Sequence, residues 1–330
     1  MNERCTYLLP IRRVRFNEAE AADFGEYFKL LAAAGCEVLV VDGSPSDVFN
    51  QHEAAWACLC RHTAVDPQHT YLNGKVNGIH TGVALASFES IIQADDDIRY
   101  TADNINRICS LLEEYEMVRP QNFLRPLPWW ARMEAARMLV NRALLPAGDY
   151  PGTCGFRRTT FRRVGHYDGD VLFDNEEIVR HFRLRGANIL YANDFFILKR
   201  PPTLAKWLEQ RPRQAYEDFV MRLKTFFFLL LIPLALLLLF SFGWKALLIY
   251  VSFVSFGSAL LAIRGRRNGA NKVFPFFVCL YAPLWFFERS LSSYWALYWR
   301  ARHGGYPFGD RLLVKGTGRA WVAGGKTRLQ

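Results

Sequence analysis

Residues 91–105 read IIQADDDIRYTADNI. An apolar run meets three adjacent carboxylates, and Thr101 then opens a helix with Asp103 in its first turn. That order describes a buried strand, a tight acidic turn and a following helix. Three like charges at a strand end repel one another unless something positive arrives. Oxygens from residues i and i+2 of a tight turn can hold a hard divalent cation and leave positions open for phosphate oxygens. Asp95 and Asp97 stand in that relation, so the expected partner is Mg²⁺ or Mn²⁺ carrying a diphosphate. A solvated acidic turn is the plainer alternative.

Strand-like and helix-like pieces alternate outward from this turn. CTYLLP at 5–10 is a short strand stopped by Pro10, and 19–34 has helical spacing closed by Gly35. CEVLVVDGS at 36–44 is a buried strand ending in turn residues, and 77–87 is helical before the strand at 90–94. This alternation predicts an α/β domain with a mostly parallel sheet. Ligands of such sheets bind beyond the carboxyl ends of the strands. Pro10, Asp42-Gly43-Ser44 and 95–97 each occupy such an end, which predicts one shared crevice. The proline-rich RPQNFLRPLPWW at 119–130 reads as a loop.

The chain has 330 residues and a formal charge of +10. Its basic clusters flank apolar segments, where anionic lipid headgroups attract each charge by about 1 kcal/mol. A membrane partner is therefore expected, and nucleic acid is not. Seven cysteines with no CxxC pair argue against a disulfide framework or zinc site. His52, His62, His69, His80 and His166 read as ordinary histidines without metal-ligand spacing. Segments 226–242 and 246–263, joined at Gly243-Trp244-Lys245, predict a hairpin of two membrane-spanning helices. The basic RGRRNGANK after them places both ends in the cytosol, in keeping with a charged N-terminus lacking a signal-peptide core. The segment 273–299, with Glu288 and Arg289 inside it, either spans, re-enters or lies at the interface. The expected organisation is a cytosolic catalytic domain (1–200), an amphipathic interfacial region (201–224), membrane helices (225–300) and a basic cytosolic tail (301–330). The expected location is the inner, cytoplasmic membrane, multi-pass, with oligomerisation left open.

The order VVDGS, NGKVNGIHTGVALA and IIQADDDIRYTADNI resembles the family-2 glycosyltransferases of GT-A fold. The likeness continues through GTCGFRRTTFRRVGHYDGDVLFDNEEIVRHFRLRGANILY to QRPRQAYEDF, covering about residues 6–300. It implies a Rossmann-like nucleotide-sugar-binding domain followed by interfacial and transmembrane helices. It also implies that Asp42 contacts the base, that Pro10 and Gly43 shape the nucleotide rim, and that Lys75 lies close to the nucleotide. Asp95 and Asp96 would face the ribose or metal side, and Asp97 would be the principal metal ligand beside Asp95. Asp149, Gly152 and Thr153 would border the donor sugar and acceptor. Gln210 and Arg213 match the family's Q-x-x-R element, and Arg213 would pair with the diphosphate leaving group.

Two positions depart from the family pattern. Its Glu-Asp motif places Asp174 in the Glu slot and Asn175 in that of the base, and an amide accepts no proton at neutral pH. The base is then Asp174 first, or Glu176 or Glu177, unless the acceptor is an anionic lipid phosphate that needs none. Gln214 replaces the family's tryptophan, with Trp207 one turn earlier as a substitute platform. Gln210, Arg213, Gln214 and Glu217 share one polar helix face, and Leu204, Trp207 and Leu208 share another, suited to a membrane surface. The expected activity is inverting transfer from a UDP-sugar to a lipid or lipid-linked acceptor. A processive polysaccharide synthase and a degenerate nucleotide-sugar-binding protein are the alternatives.

Overall fold

A computed structural model describes residues 4–308 and 311–317. Its main sheet holds eight strands in the order β3-β2-β1-β4-β7-β6-β8-β5. These are β1 (Cys5–Ile11), β2 (Cys36–Asp42), β3 (Arg61–Ala64), β4 (Ser90–Ala94), β5 (Ile98–Arg99), β6 (Met117–Leu124), β7 (Thr153–Arg157) and β8 (Ile189–Lys199). β3, β2, β1 and β4 run parallel, as do β6 and β8, whereas β7 is antiparallel to both neighbours and β5 to β8. The mostly parallel α/β sheet predicted from the sequence is therefore present.

Side-chain alternation along β1 assigns the two faces. Cys5, Tyr7, Leu9 and Ile11 pack with Phe24 and Phe28 of α1 (Glu18–Ala33), Trp56 of α2 (Ser46–Trp56) and Ile108 of α4 (Ala102–Glu114). Leu8 points the other way, towards α3 (Gly74–Leu85), α6 (Arg158–Val164) and α7 (Asp174–Leu184). Asn73 caps α3 by accepting the Lys75 amide at 3.1 Å. A Cβ added at Gly82 would lie 2.1 Å from Leu8 Cδ1, and one at Gly78 2.9 Å from Pro10 Cβ. These bare positions let α3 lie close on β1 and deliver Lys75 to the strand ends.

Segment 119–130 is not the loop that its prolines imply. Residues up to Leu124 lie inside β6 and α5 (Trp129–Leu144) takes the end of the segment, so only 125–128 form a loop. Pro120 is tolerated because the β6–β8 register shifts between Arg119 and Gln121.

A third core joins α5 to the C-terminal helices α9 (Arg222–Gly265), α10 (Ala270–Val273) and α11 (Ala282–His303). α9 breaks at Gly243, whose φ of 79° and ψ of −178° are non-helical. Tyr250 Oη donates to the Leu231 carbonyl at 3.0 Å, although 19 residues of straight helix would separate them by about 28 Å. The two limbs therefore fold back on one another. Among the described residues α9 alone is long and apolar enough to cross a membrane, and its most apolar stretch is 11% buried. α11 is not apolar enough and packs against α8 (Leu204–Glu217), α5 and α9. The segment beyond 300 is no free tail as far as it is described. β9 (Tyr306–Phe308) pairs with β10 (Arg311–Leu313), and the Leu172 and Phe173 amides donate to the carbonyls of Lys315 and Gly316 at 3.0 and 2.9 Å. Residues 318–330 lie outside the described part.

Candidate active site

The carboxyl ends of β1, β2 and β4 open into a cavity of about 640 Å³. Pro10, Gly43, Lys75, Asp95, Asp96, Asp97, Gly152, Asp174, Gln210 and Arg213 all line it. The sequence-predicted crevice thus collects strand ends, the α7 N-terminus and the polar face of α8 around one space.

Charge organises its floor. Lys75 Nζ forms ion pairs with Asp95 Oδ1 and with Asp174 Oδ2, the latter at 2.6 Å, and donates to Asn175 Oδ1 at 2.8 Å. Asn175 Nδ2 in turn donates to Asp95 Oδ2 at 3.1 Å. The amide in the family's base position therefore bridges a lysine and a carboxylate. Lys199, closing β8, stands 3.3 Å from Asp97 Oδ2. Burial pushes the Asp97 carboxyl up to about 6, against the pull of Lys199 and with help from Asp95 and Asp96. Burial also works against charge on Asp95, but Lys75 and Lys199 outweigh it and hold that carboxyl below its usual range. Asp97 Oδ1 is buried with no hydrogen-bond partner. A Cβ at Gly152 would approach Asp95 Oδ2 to 2.4 Å, so glycine keeps that oxygen accessible. Arg13 holds Asp96 at 2.7 Å and Glu20 at 2.6 Å.

Several predicted residues lie elsewhere. Asp42 is 2% exposed and does not line the cavity. Its Oδ2 meets His52 Nδ1 at 2.6 Å and His62 Nε2 at 3.2 Å, and its Oδ1 accepts the Ser44 amide at 2.8 Å. Both oxygens are spent inside the fold, leaving none for a base. Burial opposes the charge, yet hydrogen bonds from His62, Ser44 and His52 bring the carboxyl down to about 2. His52 and His62 are thus not ordinary scattered histidines. With Asp42 they offer ligand atoms within 4.8 Å of one another.

Glu176 pairs with Arg119 beneath Tyr150, and Glu177, fully buried, pairs with Arg180. Neither lines the cavity, so of the three candidate bases only Asp174 faces it. Asp149 is 2% exposed, with Arg137 and Asn141 each donating to it at 2.8 Å. Thr153 donates to the Gln93 carbonyl at 2.6 Å and bonds Tyr100. Both are structural neighbours of the cavity rather than its wall. Trp207, expected on a membrane-facing side, is 3% exposed, with Arg211 4.6 Å above its ring and Trp129 edge-on at 5.6 Å. Gln214 accepts from Arg289 Nη2 at 3.1 Å.

Sequence reasoning missed Lys199, Glu134, Arg137, Arg211, Lys224 and Arg289, all of which line the cavity. Lys199 carried a signal, since a cation closing the apolar FFIL run mirrors the carboxylates closing IIQA. The others depend on how α5, α8, α9 and α11 pack.

No family model and no curated protein matches the sequence. Among solved structures, a mannosyltransferase from Pyrobaculum calidifontis in complex with GDP-Man and Mn²⁺ aligns with a TM-score of 0.51 at 16% identity, over 89% of this chain and 88% of that one. A glucosyl-3-phosphoglycerate synthase from Mycobacterium tuberculosis, in complex with Mn²⁺, UDP and glucosyl-3-phosphoglycerate, aligns at 0.46 and 16% identity over 67% and 80% of the two chains. At such identities the first likeness is one of fold: this chain has the architecture of the GT-A type nucleotide-diphospho-sugar transferases.

Proposed function

We propose that the protein is a membrane-bound inverting glycosyltransferase that moves a sugar from a nucleoside-diphosphate sugar to a lipid or lipid-linked acceptor. The observation that carries this reading is the half-buried Asp95/Asp97 pair just after β4, facing a cavity that Lys75, Lys199 and Arg213 also line. The donor set fits a hard divalent ion, because its carboxylates stand at i and i+2 of one turn, Asp97 Oδ1 lacks a partner and glycine at 152 leaves room beside Asp95 Oδ2. Bound between Asp95 and Asp97, Mg²⁺ or Mn²⁺ would supply Lewis-acid stabilisation of the leaving diphosphate. In that reading Lys75 and Lys199, which now neutralise these carboxylates, turn towards the phosphates. Arg213, held by Glu217 at 3.2 Å, presents its guanidinium to the same charge. Donors fixed in place before reaction stabilise developing charge without reorganisation cost.

The mannosyltransferase of this fold, in complex with GDP-Man, makes GDP a donor nucleotide to test beside the UDP that the sequence resemblance implies. With Asp42 sealed by two histidines, base recognition falls to the rim around Pro10, Gly43 and Arg13. The apolar, exposed limbs of α9 support a membrane anchor that crosses and returns, keeping the cavity near headgroup level on the cytosolic side. Incubating detergent-solubilised protein with UDP- and GDP-sugars, with and without Mn²⁺, tests the reading. Metal-dependent release of nucleoside diphosphate, abolished by Asp97→Ala, is expected. Absence of turnover with every donor, together with retained nucleotide binding, would leave a binding protein instead.

A further inference from the structure

One wall of the cavity is built by α5, α8, the start of α9 and α11, and its charges are unlike those around Asp95. Arg289, 2% exposed, bonds Gln214, but its Nε and Nη1 have no hydrogen-bond acceptor. Arg211, 4% exposed, donates to Glu134 at 3.0 Å and to the Trp207 carbonyl at 3.2 Å, and its Nη1 has no acceptor. The nearest acids stand back from these nitrogens: Asp218 Oδ2 is 3.7 Å from Arg289 Nη1 and Glu288 Oε2 is 4.0 Å from Arg211 Nη1. Lys224 sits beside them, 2.9 Å from Asp218 Oδ1. Buried N–H groups without acceptors are costly to fold, and their partner is then a group that enters the cavity. A phosphate suits them, because it offers several oxygens to two guanidinium groups at once. The whole lining carries nine cationic against seven carboxylate side chains, a surplus that admits a further anion after a metal-borne diphosphate has been accommodated.

What lies next to this wall identifies the rest of the ligand. Phe226, Phe227 and Leu230, just after Lys224, and Leu291 and Trp295, just after Arg289, are exposed large apolar side chains on α9 and α11. An organic group leaving the phosphate in that direction meets apolar surface.

We propose that Arg211 and Arg289, with Lys224, form the acceptor subsite for the phosphate monoester head of a long-chain apolar lipid. This rests on the glycosyltransferase reading and names its acceptor. One phosphate oxygen attacks the anomeric carbon; the new carbon–oxygen bond forms as the bond to the donor's diphosphate breaks, and the nucleoside diphosphate leaves with the electron pair. No proton moves, because the attacking oxygen is already anionic. The absence of an acid at position 175 then has a chemical reason.

The test uses the full chain in detergent and measures calorimetric binding of farnesyl phosphate, farnesol and inorganic phosphate. Farnesyl phosphate is expected to bind at least ten-fold more tightly than either other probe, and Arg289→Gln and Lys224→Gln are each expected to cost ten-fold or more. Mn²⁺-dependent binding of whichever of UDP and GDP the wild type takes, and an unchanged melting temperature, check that each variant is folded. Farnesol binding as tightly as its phosphate, inorganic phosphate binding as tightly as the lipid, or folded variants with unchanged affinity would each overturn the proposal. Farnesyl phosphate binding that depends on Arg289 without nucleotide-sugar turnover would remove the transferase reading and the acceptor role with it.

Discussion

At position 42 a carboxylate that the sequence resemblance assigns to a ligand lies drawn into the fold, and its energetics can be measured directly. Breaking a buried, multiply bonded charge typically costs 3–5 kcal/mol, so Asp42→Asn should lower thermal stability substantially at pH 7. The sign with pH follows from the depressed carboxyl: its contribution is present above the unfolded value of 3.8 and disappears as pH falls through about 2. The melting-temperature gap between wild type and variant should therefore narrow between pH 4 and 2, as thermal scans across that range would register. A constant gap would place the loss in packing rather than charge. Asp174 invites a second comparison. Its carboxylate holds Lys75 at 2.6 Å, so Asp174→Asn should retain more than a tenth of turnover with a lipid phosphate acceptor. A fall of 100-fold or more, the range of a lost general base, would return that role to Asp174. The Asp95–Asp97 turn was legible in the sequence because strand burial and turn charge are local properties. The sealing of Asp42 was not, since His52 and His62 come from α2 and β3 and meet it only through sheet register.

Elements fix how far each of these side chains can reach. α3 lies close on β1 because Gly78 and Gly82 carry no Cβ, and Gly82→Ala would place a methyl group 2.1 Å from Leu8 Cδ1. Overpacking of this kind costs about 1–3 kcal/mol, so a thermal shift should show clear destabilisation. Gly257→Ala, with nothing within 4 Å of its Cβ, should be close to neutral. An equal response at the two sites would mean that α3 can retreat from β1 without penalty. β1, α1, β2, α3, β4 and α4 were readable because apolar periodicity and caps announce them, and Thr101 with Asn104 forms the capping box of α4; α2 and β3, short and mixed in polarity, were not read. Two features were hidden by local chemistry. Prolines at 120 and 126 masked β6 and the approach to α5, and the amphipathic spacing of α8 marked as membrane-facing a tryptophan that tertiary packing buries beneath Arg211.

For the whole molecule, the proposed reading puts the cavity beside a bilayer, with the exposed apolar hairpin that bends at Gly243 as its anchor. With Cys58 exposed in the N-terminal domain and Trp244 63% exposed at the hairpin bend, side-specific labelling can test that arrangement. In vesicles, a membrane-impermeant maleimide should reach Cys58 and an introduced Trp244→Cys (in a Cys58→Ser background) from opposite faces. Labelling of both from one face would mean that the hairpin lies on the membrane without crossing it. The mostly parallel sheet and the strand-end crevice followed from sequence pattern, whereas the strand order did not. The cationic wall did not, because Glu134, Arg211 and Arg289 come from helices separated by more than 70 residues and acquire meaning only on packing. The most direct measurement is calorimetric titration of UDP and GDP into the full chain with Mn²⁺ or EDTA, for wild type and Asp97→Ala. One nucleotide should bind only with Mn²⁺ and lose at least 100-fold in the variant; binding that is indifferent to both metal and Asp97 would contradict a nucleotide site built on the β4 carboxylates.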